Sequence, residues 1–136
     1  MSPADTLRDA AFAAMENAYA PYSRFRVGAA VSTERGVFVG ANVENASYGL
    51  SFCAERAALT AAANAGARQC SAIVIHFGDP GAAPRDALRP CGACRQWMAE
   101  LMTPGATVYV ANTGETFTVD ALLPNAFRLD TPQGGR

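Results

Sequence analysis

The sequence predicts an α/β fold, a single domain of three layers, α/β/α. Three observations carry that expectation. Helical and strand periodicities interleave along the chain instead of separating into blocks. Residues 72–77, Ala-Ile-Val-Ile-His-Phe, form a continuous apolar run of the kind a central strand shows when both its faces are covered. With 136 residues, half of them hydrophobic, the chain has room for one core and not for a second, so residues 1–136 read as one domain.

The elements follow in order. Residues 4–18 place Leu7, Ala10, Ala11, Ala14, Met15 and Ala18 at helical spacing, and Pro21 ends that segment. Residues 26–32 alternate, with Val27, Ala29 and Val31 on one face. Glu34-Arg35-Gly36 reads as a hairpin turn from which Val37-Phe38-Val39 returns. Ser51 is the expected cap of a helix over residues 53–64, which Gly66 closes. After the 72–77 strand, residues 78–90 are rich in Gly, Pro, Asp and Arg and read as a loop. A second long helix is expected from about Cys91 to Met102, stopping at Pro104-Gly105. Thr107–Ala111 is the next strand, and Asn112-Thr113-Gly114-Glu115 turns into a short one over residues 116–118. Asp120–Leu123 forms a last short helix before Pro124.

Composition narrows the function. No apolar run is long enough to span a bilayer, and Met-Ser-Pro-Ala-Asp is not the start of a secretory signal, so a soluble cytosolic protein is expected. Four cysteines in a reducing compartment point to metal ligands or free thiols before disulfides. A net charge of −1 argues against a nucleic-acid binder. All 11 basic residues are arginine, which excludes Schiff-base catalysis by lysine.

The chemistry concentrates in Cys53-Ala54-Glu55 and Pro90-Cys91-Gly92-Ala93-Cys94. Cys53, Cys91 and Cys94 would supply three thiolates to zinc and leave the fourth position open, as a catalytic site requires. Glu55 places one carboxylate beside that metal. Both segments fall at expected helix N-termini, whose dipoles and free N–H groups stabilise anionic sulfur. Three thiolates on Zn²⁺ leave a net negative site, which Arg56 and Arg95 could offset from behind the ligands; the plainer alternative is two solvated helix arginines. Other readings compete. His76 as a fourth ligand would close a structural zinc site, although a strand-end histidine is more simply a structural or surface residue. A redox Cys-x-x-Cys would leave Cys53 and Glu55 unexplained. Cys70 reads as a small buried hydrophobe, Asn42 and Glu44 as possible turn residues, and Phe25 and Phe127 as possible core.

The blocks Asn42-Val-Glu44-Asn-Ala-Ser-Tyr48-Gly-Leu-Ser-Phe-Cys53-Ala-Glu55-Arg56 and Pro90-Cys91-Gly-Ala-Cys94-Arg-Gln together resemble the small homotetrameric cytidine deaminases. So do Tyr19-Ala-Pro-Tyr-Ser-Arg-Phe25-Arg-Val-Gly-Ala-Ala and Leu122-Leu-Pro-Asn-Ala-Phe127, and the resemblance runs from about residue 18 to residue 129. It implies a mixed five-stranded sheet and one zinc per subunit, held by Cys53, Cys91 and Cys94, with Glu55 as proton shuttle. It further implies that Asn42 and Glu44 hydrogen-bond the ribose and that Phe25 packs beside the nucleoside. The backbone N–H groups of Ala54 and Cys91 would meet the pyrimidine edge. Tyr48 and Phe127 would reach a neighbouring subunit's site in a homotetramer. The loop from Phe77 through Arg89 is longer than the pattern and carries Asp79, Arg85, Asp86 and Arg89, and Trp97 stands where a smaller aliphatic residue is expected, which implies local repacking.

The reaction explains the residue set. Cytosine C4 is a poor electrophile and ammonia a poor leaving group, so zinc-activated water and one carboxylate acting in successive proton transfers are what hydrolytic deamination needs. The expected activity is conversion of cytidine and 2′-deoxycytidine to the uridine forms in pyrimidine salvage, without nucleic-acid or membrane partners. Deamination of a modified cytosine nucleoside is the nearest rival, and a non-catalytic zinc-stapled module the rival of another class.

Overall fold

The computed structural model describes residues 3–78 and 85–129. Residues 79–84 of the expected 78–90 loop, Asp79 included, lie outside the described residues, as does the side chain of Asp86. The elements are α1 (Pro3–Ala14), β1 (Val27–Thr33), β2 (Gly36–Ala41), α2 (Ala54–Asn64), β3 (Cys70–Phe77), α3 (Gly92–Leu101), β4 (Met102–Val110), β5 (Glu115–Thr118) and α4 (Val119–Leu122). Their order agrees with the expectation from sequence.

The five strands form one mixed sheet in the order β2-β1-β3-β4-β5. β1 is antiparallel to β2 and β3, β3 is parallel to β4, and β4 is antiparallel to β5. On one face Val27, Ala29, Val31, Ile73, Ile75, Val108 and Val110 pack against Ala58, Leu59 and Ala62 of α2 and Met98 and Ala99 of α3. On the other, Ala30 and Val74 meet Leu7 and Ala11 of α1. That is the expected three-layer arrangement, and it explains why β1 is buried along most of its length.

Two close approaches set where the helices lie. A Cβ on Gly40 would come within 2.4 Å of the Ala58 backbone nitrogen, so α2 rests directly on β2. A Cβ on Gly28 would come within 2.0 Å of the Ala11 carbonyl oxygen, so α1 rests on β1 in the same way. Only glycine permits either contact.

Several boundaries differ from the sequence expectation, each for a local reason. α1 ends at Ala14 rather than near residue 18, and a 3₁₀ turn over Met15–Asn17 follows. The chain is drawn off the helix because Tyr19 N–H donates to Asn42 C=O and Glu44 N–H to Tyr19 C=O, at 2.9 and 2.8 Å. Ser51 does not cap α2. Cys53 occupies that position, while Ser51 Oγ accepts from Asn45 N–H at 3.1 Å. Gly66 does close α2, at φ 89°. β4 begins at Met102, five residues before the expected strand. Met102 pairs with Cys70, residues 103–106 bulge out opposite Ser71, and the ladder resumes at Ala72 and Thr107. Pro104 is tolerated there because a bulge asks no ladder hydrogen bond of it, and Gly105 supplies the φ of 77°. Trp97 is 39% exposed on α3.

The β1–β2 turn is tied to the far end of α2. Glu34 accepts from the backbone N–H groups of Arg68 and Gln69, at 2.8 and 3.0 Å. These bonds, that to Arg68 first, hold the Glu34 carboxyl below its ordinary value of 4.5. Because the folded value lies below the unfolded one, this contribution is complete above pH 4.5 and fades as pH falls through the folded value. Glu34→Gln is therefore expected to lower Tm near neutral pH, with the gap to the parent closing below pH 4.5; a gap of unchanged size in acid would remove the carboxylate from the explanation. Gly40→Ala is expected to cost about 1–3 kcal/mol in urea unfolding through forced displacement of α2. A cost below about 0.5 kcal/mol would mean that the helix shifts freely on the sheet.

Candidate active site

The site forms where the N-termini of α2 and α3 meet. Cys53 is the N-cap residue of α2, with φ −77° and ψ 153°, and Cys91 is that of α3, with φ −70° and ψ 171°. Cys94 follows one turn into α3 and is fully buried. The sulfurs of Cys53, Cys91 and Cys94 all lie within 4.8 Å of one another, and those of Cys91 and Cys94 are 3.4 Å apart. Ligands at 2.3 Å on a tetrahedral zinc stand about 3.8 Å apart, so the three sulfurs fit that ion with little movement.

His76 does not join them. It lies next to Ile75 and Phe77 on β3, which face α2 and α3, and so points to the opposite face of the sheet. There its ring meets Phe12 edge-on at 5.0 Å. Among the described residues the metal-ligating cluster is the three cysteines alone.

The electrostatics differ sharply over a few ångströms. A hydrogen bond from the Cys94 thiol, aided by Arg56, pulls the Cys53 thiol down to about 5 against the effect of burial. Cys94 keeps its proton, held first by the Cys53 sulfur that accepts it and then by burial. Arg56 Nη2 donates to Cys53 Sγ at 3.4 Å and to Ser51 C=O at 3.2 Å, with its guanidinium over the Phe52 ring at 4.9 Å. Arg95 is placed differently. Its Nε donates to Pro90 C=O at 2.8 Å and its Nη1 to Leu122 C=O at 2.9 Å, so it braces the backbone of the ligand loop instead of facing sulfur. Glu55, only 4% exposed, is pushed up to about 7, first by burial and then by the Cys53 charge.

A cavity of about 320 Å³ opens onto this cluster, with Cys53, Ala54, Glu55 and Cys91 at one end and Asn42, Glu44 and Tyr48 among its other walls. Ala54 is the first residue of α2, where helix geometry leaves the N–H without an intrahelical acceptor. Asn42 is buried; its Oδ1 accepts from Val27 N–H and its Nδ2 donates to Phe25 C=O, both at 2.8 Å. One N–H and one lone pair of that amide remain. Glu44 accepts from Tyr22 N–H and Ser23 N–H, each at 3.1 Å, and from the Ser23 hydroxyl. The Ser23 hydroxyl, above all, keeps Glu44 below its ordinary carboxyl value and ionised at neutral pH. Phe25 stacks on Phe77 with ring centres 5.9 Å apart. Tyr48 is 78% exposed on the rim. Phe127, 71% exposed, is not part of this cavity in the single chain, and its carbonyl accepts from Gln96 Nε2 at 2.8 Å. Ser23, Phe52, Phe77 and Arg89 also line the cavity and were not singled out as site residues from the sequence. Only Arg89 carried a usable signal, a cation directly before Pro90-Cys91.

The family model described as "Cytidine and deoxycytidylate deaminase zinc-binding region" matches residues 1–111, which include Cys53, Cys91 and Cys94. The cytidine deaminase of Halalkalibacterium halodurans is 49% identical over 121 residues, 86% of this chain and 88% of that one. The cytidine deaminase of Mycobacterium tuberculosis is 40% identical over 125 residues, 91% and 89% of the two chains. In three dimensions the crystal structure of cytidine deaminase from Burkholderia pseudomallei matches with a TM-score of 0.81 at 47% identity, covering 93% of this chain and 100% of that one. The M. tuberculosis crystal structure matches with a TM-score of 0.79 at 37% identity, covering 95% and 100%. Fold and site thus fall in the class of zinc-binding deaminases. The chain belongs to the cytidine and deoxycytidylate deaminase family.

The charge asymmetry among the thiols is open to test. In metal-stripped protein near neutral pH, iodoacetamide is expected to label Cys53 well before Cys70, whose thiol burial pushes up. Peptide mapping that found Cys70 labelled first would refute the thiolate at Cys53.

Proposed function

We propose that this chain hydrolyses cytidine and 2′-deoxycytidine to uridine and 2′-deoxyuridine, releasing ammonia, with one zinc ion per subunit. The observation that carries the reading is the buried Glu55 carboxyl beside three convergent thiols at the end of a cavity. Cys53, Cys91 and Cys94 would hold the zinc, which when bound supplies the Lewis acidity that makes water nucleophilic near neutral pH. Glu55 takes the proton of the attacking water and delivers it to N3 of the pyrimidine. As oxygen adds, C4 becomes tetrahedral. Glu55 then takes the remaining proton from the hydroxyl now on C4 and passes it to the amine, so the C4–N bond breaks, ammonia leaves and C4 becomes a carbonyl. A carboxyl held near 7 suits both halves of that task. The Ala54 and Cys91 N–H groups are assigned to the pyrimidine edge, and Phe25 to the flank of the nucleoside.

The remaining N–H of Asn42 and the ionised Glu44 are assigned to the ribose hydroxyls. Their orientation by the backbone of residues 22–27 supports this, since groups already fixed lose little freedom on binding. Arg56 is assigned to charge compensation and Arg95 to bracing the ligand loop. Tyr48 and Phe127 are assigned to a neighbouring subunit's site within a homotetramer, a role that the exposure of both rings supports. A role in pyrimidine salvage in the cytosol completes the reading; among the described residues no helix is long and apolar enough to cross a membrane. A nucleotide substrate is the second reading, favoured by Arg89 in the cavity wall. Against it stand the pairing of Arg89 with Glu115 and the fixed negative charge of Glu44.

Following ultraviolet absorbance and ammonia release with cytidine tests the reading. Glu55→Ala is expected to retain zinc and lose turnover by about 10²–10⁴-fold or more. Loss of metal together with activity would make Glu55 structural, and inactivity of zinc-loaded parent protein on both nucleosides would overturn the assignment.

A further inference from the structure

The three thiols are not held equally. Cys94 is buried within α3 and Cys53 is half-buried under Arg56, but Cys91 is exposed and stands at the end of the long connection from β3. A ligand at an exposed N-cap position needs something else to fix it. Two residues before it, Arg89 Nη2 donates to Glu115 Oε2 at 2.9 Å, and the Arg89 guanidinium lies over the Phe117 ring at 5.2 Å. Glu115 and Phe117 both belong to β5, on the face of the sheet that also carries Val108 and Val110. Glu115 is itself aimed, since its Oε1 accepts from Thr113 Oγ1 at 3.1 Å. The pair is largely shielded, with side chains 28% and 19% exposed. On the next residue the Pro90 carbonyl is gripped by Arg95. The backbone ahead of Cys91 is therefore anchored twice, once to β5 and once to α3.

We propose that Glu115 is a positioning residue for the metal site. Through Arg89 it locks the Pro90–Cys91 segment so that the Cys91 thiol stands ready for zinc beside Cys53 and Cys94. Ordering an exposed ligand in advance lowers the cost of closing the metal site, as partners behind metal ligands generally do. The Arg89 guanidinium in the cavity wall then serves the loop before it serves the substrate. This inference rests on the zinc reading of the cysteine cluster and not on the identity of the nucleoside.

Zinc affinity by competition with a chromophoric chelator tests it, in the parent, Glu115→Gln, Arg89→Met and the double variant, with metal-free folding followed by circular dichroism. Each single variant is expected to bind zinc about 10–100-fold more weakly, and the double variant no more weakly than the worse single one. Arg89→Lys, which keeps a cation on Glu115, is expected to recover part of the affinity lost in Arg89→Met; where Arg89→Met does not fold, Glu115→Gln against Arg89→Lys carries the test. Affinities within twofold of the parent, or losses that multiply in the double variant, would overturn the inference. A parent protein that binds no zinc would overturn it together with the metal reading. Shifted zinc affinities in a protein inactive on cytidine would leave it standing while the proposed substrate falls.

Discussion

Two helix N-termini converge at one end of a mixed sheet, and the rest of the site depends on that meeting. α3 is the crossover between the parallel strands β3 and β4, so it begins beyond the carboxyl end of β3, where open α/β sheets place their ligands. α2 reaches the same place because Gly40 lets it lie directly on β2. Each helix then presents an N-cap cysteine to the other. Free N–H groups and helix dipoles favour the anionic sulfur a metal needs. The geometry brings three thiols within 4.8 Å without any disulfide among them.

The same convergence explains the state of Glu55. One helical position beyond Ala54, its side chain is driven inward between the helices and becomes almost fully buried. Burial and a neighbouring sulfur charge both disfavour the ionised form, which brings the carboxyl close to neutrality in its proton affinity. Packing therefore produces a carboxyl that can gain or lose a proton near neutral pH. Asn42 and Glu44 show a related economy: hydrogen bonds to residues 22–27 tie down the entry segment and hold the two side chains in the cavity wall at the same time.

Much of this was readable in the chain, and the failures are instructive. The apolar run at 72–77 marks a strand covered on both faces, and the spacing of Leu7, Ala11 and Ala14 marks one buried helix face; the alternation in 26–32 marks its strand too, although β1 is covered on both sides because Gly28 and Ala30 lie under α1. The early start of β4 was not readable, because Pro104-Gly105 is a stop signal unless a neighbouring strand accepts a bulge at that point. Ser51 has the chemistry of a cap, but its hydroxyl oxygen is claimed by the Asn45 N–H, and which donor wins is a matter of loop path. Arg56 and Arg95 hold equivalent places in the sequence and yet do different things, one at a sulfur and one at backbone carbonyls.

Taken alone, the sequence determined the order of helices and strands and the pairing of Cys53-Ala54-Glu55 with a Cys91-x-x-Cys94 motif, because spacing and side-chain chemistry are local properties. Only the tertiary structure decided that His76 lies on the opposite face of the sheet, that Arg95 braces a loop, and that Glu115 reaches Arg89 across 26 residues of chain. Those outcomes depend on strand register and on which layer covers which face, and both are set by contacts between residues far apart in sequence.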